Sequence, residues 1–189
     1  MSNTMKFRHY NSNEIETITQ VFTQTFTNSE GENEGKTVGK LANDLLTTTA
    51  PTELLCFVAE DDSSESDADS TIVGAIIFTP LSFGDETKAY LLSPVAVSTQ
   101  VQKRGIGQQL INFGLQALKE QGIELVVTYG DPDYYSKVGF GQITVEQIPA
   151  PFKLSFPHGW LAQSLTGGEV TVTSEKSNCV KGLAHAEYW

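Results

Sequence analysis

Basic residues are scarce in this chain. Lys and Arg number 12 against 23 Asp and Glu, so the net charge is −11 and the pI is about 4.6. A nucleic-acid backbone or an anionic membrane is gripped by clustered cations, so neither is expected as the main partner. Cysteine is scarcer still. Cys56 and Cys179 are the only two, their spacing is not that of a metal site, and Cys56 lies in the apolar run LLCFVAE. Two reduced, buried thiols are expected, as in a cytoplasmic protein. The opening MSNTMKFRHY lacks the apolar core of a signal peptide, and no apolar run approaches the roughly 18 residues of a membrane span. A cytoplasmic location is the resulting expectation. The three histidines, His9, His158 and His185, form no constellation, and no metal site is expected.

What is present is an ordinary globular composition, with 39% apolar and 19% charged residues in 189. That length suits a single domain over residues 1–189, with 150–189 as a C-terminal extension of strand and loop. The acidic surplus serves solubility and is compatible with a cationic acceptor such as an amine. MKFRHY alternates like a short strand. Asn11 or Ser12 then caps a helix with Ile15, Ile18, Phe22 and Phe26 at helical spacing. The segment TNSEGENEG reads as a loop, and KTVGKLANDLL as a second helix with Val38, Leu41 and Leu45 on one face. Residues 54–60 and 71–79 are strand-length apolar runs. The acidic, serine-rich DDSSESDADS between them reads as a solvated, mobile hairpin loop. Residues 88–97 form another strand candidate, in which Pro94 demands an edge or a bulge because it has no N–H to give. A helix from about 105 to 120 follows, with Ile106, Leu110, Phe113 and Ala117 on one stripe and Gly122 as its C-terminal cap. Residues 123–128 read as a strand covered on both faces, DYYSKVG as a short helix, and QITVEQI and GEVTVTS as strands. The expected fold is a mixed α/β sheet flanked by helices.

Between the fourth strand and the long helix lies STQVQKRGIGQQL. Glycines in a turn before a helix leave several backbone N–H groups unpaired beside the positive end of the helix dipole. Without Cβ atoms in the way, such a turn can approach an anion closely, and Lys103 and Arg104 add charge. The Walker pattern is missing, and Gly105-Ile106-Gly107 lacks the third glycine of a dinucleotide fingerprint. On these residues alone two readings stand: an anion-binding loop, or a glycine-tolerant helix start with solvated cations.

The wider context adds a resemblance. Val95-Ala96-Val97 at a strand end, followed by Gln102-Lys-Arg-Gly105-Ile-Gly107 opening a helix, resembles the acetyl-CoA signature of the GCN5-related N-acetyltransferase (GNAT) family. About thirty residues on, Tyr135-Ser-Lys-Val-Gly139-Phe140 matches the family's Y-x-x-x-G-F. The stretch GDPDYYSKVGF, with FKLSFPHGW after it, is similar to the YhbS-like branch of that family. The resemblance runs from the first strand to about Val145. It implies a mostly antiparallel sheet whose bulged fourth strand splays from the fifth, which would explain Pro94. It also implies acetyl-CoA as cosubstrate, with backbone groups of Val95, Ala96 and Val97 holding the pantetheine arm. Gln102, Lys103, Arg104, Gly105, Ile106, Gly107 and Gln108 would hold the pyrophosphate.

The implied chemistry is acetyl transfer to a primary amine by direct attack, on a small molecule or peptide. Val95 would offer its N–H to the developing oxyanion, and Tyr135 would act as general acid at the cofactor sulfur. Tyr135 also reads as a core aromatic, and Tyr134 as a packing residue. The family's frequent glutamate on the fourth strand is missing, since Tyr90-Leu91-Leu92-Ser93 stands there, and so is a frequent cofactor-contacting asparagine. Asp131, Asp133 or His158 through ordered water are the candidate bases, although an Asp-Pro-Asp turn also reads as a helix cap and His158 as a surface loop residue. Glu30, Glu32 and Glu34 are candidate acceptor contacts or simply solvated acids. A non-catalytic acyl-CoA sensor is the alternative function, and a homodimer is compatible with either.

Overall fold

The computed structural model of the protein describes residues 5–61 and 70–189. The expected loop DDSSESDADS lies almost wholly outside these residues. The elements are β1 (Met5–His9), α1 (Ile15–Glu30), α2 (Glu32–Thr48), β2 (Leu55–Asp61), β3 (Thr71–Leu81), β4 (Ala89–Val97), α3 (Ile106–Glu120), β5 (Leu125–Tyr129), α4 (Pro132–Tyr135), β6 (Gly141–Gln142) and β7 (Trp160–Ser164). Seven strands hydrogen-bond in the order β1-β2-β3-β4-β5-β7-β6. The pairs β1–β2, β5–β7 and β6–β7 are antiparallel, and β4–β5 is parallel. This is the mixed, mostly antiparallel sheet flanked by helices that the sequence leads one to expect. The chain divides into two compact units: residues 1–48, 55–77 and 94–114 form one, and 49–54, 78–93 and 115–189 the other.

In the first unit α1 and α2 form a helical hairpin with Gly31 alone between them. The expected loop over 27–35 is therefore helical on both sides of one residue. Gly31 takes φ +101, and its N–H donates to the Thr27 carbonyl at 3.1 Å. Glu32 and Glu34 lie in the first turn of α2, where the helix dipole favours carboxylates. Gly35, within that expected loop, and Gly39, within the expected helix, serve close contact between the two helices. A Cβ on Gly35 would strike the Thr27 side chain and stand 2.6 Å from the Thr23 carbonyl, and one on Gly39 would strike the Thr23 hydroxyl. Ile18, Phe22, Leu41, Ala42 and Leu45 are buried. Arg8 on β1 holds two carboxylates, Glu14 at 2.7 Å and Glu60 at 2.9 Å. Helix α3 begins in this unit with Ile106, Leu110 and Ile111 buried, whereas Phe113 is 38% exposed. The buried stripe is thus turned from the expected one, and Phe113 lies over the edge of the β1–β2 pair, its ring 6.1 Å from Phe7 and 5.5 Å from Phe57.

The second unit is built on β5 and β7, registered from Leu125↔Ser164 to Tyr129↔Trp160. β7 was not expected, because prolines and the FPHGW turn hide its onset. Conversely QITVEQI is a strand only at Gln142: Ile143 N–H donates to the Trp160 carbonyl, and Thr144 and Gln147 then close a turn on each other. Such local side-chain bonds compete with a sheet ladder. GEVTVTS is no strand either, since its groups bond to scattered partners. Thr173 gives its N–H and hydroxyl to Asp85, at 3.3 and 3.0 Å, and Val172 N–H donates to the Gln147 carbonyl. Gly122 does cap α3, at φ +77, with Ile123 N–H donating to the Leu118 carbonyl. Both thiols are free. Cys56 is buried, which pushes its pKa up, but Cys179 is only half-buried, against the expectation for it.

Candidate active site

The parallel ladder between β4 and β5 runs from Ala89↔Leu125 to Leu92↔Thr128 and ends two residues before Pro94. A residue without an N–H costs no bond of the β5 ladder beyond that point. Val95 and Val97 are partly exposed and Ala96 is buried. Close packing fixes this strand end, because a Cβ on Gly74 of β3 would stand 3.2 Å from the Ala96 carbonyl. Ser98 N–H donates to the Val73 carbonyl at 2.7 Å.

The turn that follows is held from inside. Val101 N–H donates to the Ser98 carbonyl, and the Gln102 side-chain amide donates to the Val97 carbonyl at 2.8 Å. Asn28, near the end of α1, donates to the Thr99 hydroxyl at 3.2 Å. Lys103 takes φ +64 and Gly105 φ +75, so the chain passes twice through the left-handed region before α3. Gly105 accepts the first intrahelical bond from Gln109 N–H at 3.0 Å. The amides of Gly105, Ile106, Gly107 and Gln108 lie ahead of that bond and have no partner within the helix. Lys103 and Arg104 are exposed and make no ion pair among the described residues. An anion placed here would meet four amides, a helix dipole and two cations.

Tyr135 belongs to the second unit and is 9% exposed. Its motif forms a Schellman cap. Gly139, at φ +92, donates to the Ser136 carbonyl, and Phe140 N–H reaches back to the Tyr135 carbonyl at 3.2 Å. The cap brings the rings of Tyr135 and Phe140 edge to face at 5.7 Å, with Tyr134 on another side at 5.1 Å. The carbonyl of Val138 accepts from the Gln163 side-chain amide at 2.7 Å, which ties the short helix to β7. A Cβ on Gly130 would stand 2.8 Å from the Tyr135 ring, and one on Gly159 would stand 2.7 Å from the Gly130 carbonyl. Burial raises the Tyr135 pKa well above the usual phenol range. The Thr128 hydroxyl, also buried, donates to the Leu92 carbonyl at 2.9 Å.

The remaining candidates are dispersed. Asp131 caps α4, accepting from Asp133 N–H at 2.9 Å, so the cap reading of the Asp-Pro-Asp turn holds for that residue. Asp133 and His158 are exposed, and the His158 carbonyl accepts from Gln142 at 3.2 Å. In the first unit Glu30 ends α1, Glu32 pairs with Lys36 at 2.6 Å with both side chains exposed, and Glu34 is partly buried. Groups of three metal-ligating side chains are lacking among the described residues. Sequence reasoning passed over Thr128, Gln163, Gly130 and Gly159. For Thr128 a signal was there, a lone hydroxyl at the end of the apolar run IELVVT.

Comparison with known proteins agrees with this geometry. The sequence profile described as "Acetyltransferase (GNAT) domain" matches residues 52–142. The uncharacterized N-acetyltransferase YjhQ of Escherichia coli K12 is 30% identical over 133 residues, which are 64% of this chain and 74% of that one. The uncharacterized N-acetyltransferase YhbS of the same organism is 34% identical over 87 residues, 46% of this chain and 48% of its own length. A GNAT-family acetyltransferase from Brucella melitensis, solved in complex with acetyl-CoA, superposes with a TM-score of 0.71 at 25% identity, covering 96% of this chain and 99% of that one. The crystal structure of E. coli YhbS in complex with CoA shares the fold, with a TM-score of 0.75 at 22% identity over 98% of this chain and 94% of its own. The fold, the glycine turn before α3, the Tyr135 cap and these relatives agree: the chain belongs to the GNAT family of acetyltransferases.

Proposed function

We propose that this protein is an acetyl-CoA-dependent N-acetyltransferase acting on a primary amine by direct attack. The observation that carries the reading is the turn over residues 98–108, with its left-handed Lys103 and Gly105 and the amides at the start of α3 that have no partner within the helix. Bound acetyl-CoA supplies a thioester carbonyl open to an amine and a thiol as leaving group. The amides of Gly105, Ile106, Gly107 and Gln108 hold the pyrophosphate, with Lys103 and Arg104 adding charge. Backbone groups of Val95, Ala96 and Val97 hold the pantetheine arm, and the Val95 N–H faces the carbonyl oxygen as it gains charge. Gln102 contributes by keeping the turn closed on Val97.

Tyr135 carries its proton throughout the neutral range as any phenol does, and burial raises its pKa further. It donates that proton to the departing sulfur and regains one from the acceptor nitrogen, so the proton count closes. β4 has no carboxylate at Tyr90 to Ser93. The amine therefore loses its proton through ordered water to Asp133 or His158, or to Asp131 beyond its cap. Glu30, Glu32 and Glu34 attract a cationic acceptor, a small amine or a peptide N-terminus. All of residues 1–189 act as one acetyltransferase domain, in the cytoplasm and as a monomer or homodimer. Among the described residues no helix is long and apolar enough to cross a membrane.

The test is thiol release from acetyl-CoA and from longer acyl-CoAs across a panel of small amines, amino acids and peptides. Turnover with one acceptor class supports the reading. Micromolar CoA binding without turnover on any acceptor would favour the alternative that the apolar β4 admits, a non-catalytic acyl-CoA sensor. Binding of NAD or ATP in place of CoA would overturn both.

A further inference from the structure

We propose that Phe156 is a specificity-determining residue, a fixed aromatic platform that selects primary amines carrying an apolar or aromatic body. The proposal rests on the reading of the protein as an acetyltransferase whose acceptor is bound beside Tyr135. Of the large apolar side chains among the described residues Phe156 is the most exposed, at 51%. A lone exposed apolar side chain is ordinary on a protein surface. Two things set this one apart: the number of bonds that hold its turn, and what lies behind its ring. Phe156 N–H donates to the Tyr129 hydroxyl at 2.6 Å, and Gly159 N–H donates back to the Phe156 carbonyl at 2.9 Å. Ser155 N–H donates to the Trp189 carbonyl at 3.1 Å, and Gly130 N–H to the Gly159 carbonyl at 2.9 Å. The Gln142 side-chain amide donates to the His158 carbonyl at 3.2 Å. Tyr129 is itself clamped, its ring stacked on Trp189 at 6.2 Å and edge-on to Trp160 at 6.3 Å, both of them buried.

Behind the ring stand two glycines and then the candidate acid. A Cβ on Gly159 would lie 2.8 Å from the Phe156 ring and 2.7 Å from the Gly130 carbonyl, and one on Gly130 would lie 2.8 Å from the Tyr135 ring. On the same turn His158, one of the groups proposed to take the amine's proton, holds its ring 5.9 Å from that of Phe156. An exposed ring whose backbone is already fixed loses little conformational freedom when a ligand covers it. Its surface offers apolar area to a hydrocarbon body, and its face attracts an ammonium. The net charge of −11 favours the same cation. A wholly polar amine would leave the ring wet and gain nothing from it.

The experiment measures thiol release from acetyl-CoA with two matched pairs of amines. One is 2-phenylethylamine against ethylamine; the other is phenylalanine amide against glycine amide, which stands for a peptide N-terminus. The parent protein should favour the aromatic member of at least one pair by about ten-fold or more in kcat/KM, as for an apolar contact. Phe156→Ala should bring that ratio close to one, mainly through KM for the amine, and Phe156→Leu should lie between. Tyr129→Phe keeps the clamped ring but removes the acceptor of the Phe156 N–H, and should lower the ratio part of the way. A ratio taken on one protein is insensitive to a general loss of activity or stability, so it separates selection from folding. No preference in the parent, or a preference that survives Phe156→Ala, would overturn the proposal. A second measurement needs no turnover: calorimetric titration of 2-phenylethylamine into the CoA-saturated protein. Binding should be about five-fold or more tighter in the parent than in Phe156→Ala, and equal affinity or no binding to the parent overturns the platform. If no amine releases thiol while that difference in binding is seen, the acetyltransfer reading fails and the platform stands.

Discussion

The N–H of Phe140 donates to the carbonyl of Tyr135 at 3.2 Å while their rings meet edge to face at 5.7 Å. One backbone bond and one ring contact thus hold the candidate acid, and both depend on the left-handed residue between them. Gly139→Ala would force an L side chain into φ +92 and press a methyl on the Gln163 amide that ties the helix to β7. We expect a loss of about 1–3 kcal/mol in stability, read by thermal or urea unfolding, with a larger fall in kcat than in CoA affinity. A Gly139→Ala protein as stable as the parent would refute this account of the cap.

The helical hairpin makes a graded prediction. Gly35 faces backbone, the Thr23 carbonyl and the Thr27 amide, whereas Gly39 meets chiefly the Thr23 side chain. Either alanine gains about 1 kcal/mol of helix propensity, while overpacking costs about 1–3 kcal/mol. Gly39→Ala should therefore be mildly destabilising and be rescued in part by Thr23→Ala. Gly35→Ala should be worse, and that second change should not rescue it. Equal melting temperatures for the two single variants would show that the helices can move apart.

Acid should loosen the β1–β2 edge. Arg8 lowers the pKa of Glu60 to about 2 and that of Glu14 below the ordinary carboxylate value, through hydrogen bonds first and charge second. A carboxylate whose folded pKa is depressed stabilises the fold fully above its unfolded value. That stabilisation is lost as pH falls from about 4.5, the unfolded value, through the folded pKa near 2. Melting temperature should drop steeply across that window. In Arg8→Met it should start lower at neutral pH and lose much of the slope, and parallel curves would contradict the assignment.

CoA binding should depend on the turn's backbone more than on its cations. Gly105 has no close neighbour at its Cβ position, so Gly105→Ala tests only the left-handed φ. A strain of about 1–2 kcal/mol, if the unbound turn relaxes it, corresponds to roughly a 5- to 30-fold loss in affinity. Lys103→Gly removes a charge but relieves a left-handed residue at φ +64, so its loss should be smaller, about three-fold or less, and should shrink further at high salt. Calorimetry with CoA decides. The reverse ranking would mean that the cations, and not the amides, do the holding.

Where the physics is local, the sequence alone settled the outcome. The cap at Gly122 and the Tyr135-Gly139-Phe140 cap each rest on bonds spanning at most five residues, as do the Val101–Ser98 and Gln102–Val97 bonds of the turn before α3. Their glycines declare the left-handed positions that those bonds require. The apolar runs of β2, β3, β4 and β5 were readable for a similar reason, since burial on both faces leaves few polar positions. Only the tertiary structure decided the rest. Gly35 looked like a loop glycine until Thr27 and Thr23 of another helix stood against it. β7 became a strand because β5 offers it a ladder, and GEVTVTS failed to become one because Asp85 and Gln147 take the donors of Thr173 and Val172 instead. The Thr128 hydroxyl found its acceptor in the Leu92 carbonyl, which is 36 residues away. A hydrogen bond or a close contact needs two surfaces, and a one-dimensional pattern specifies only the one that lies nearby in the chain.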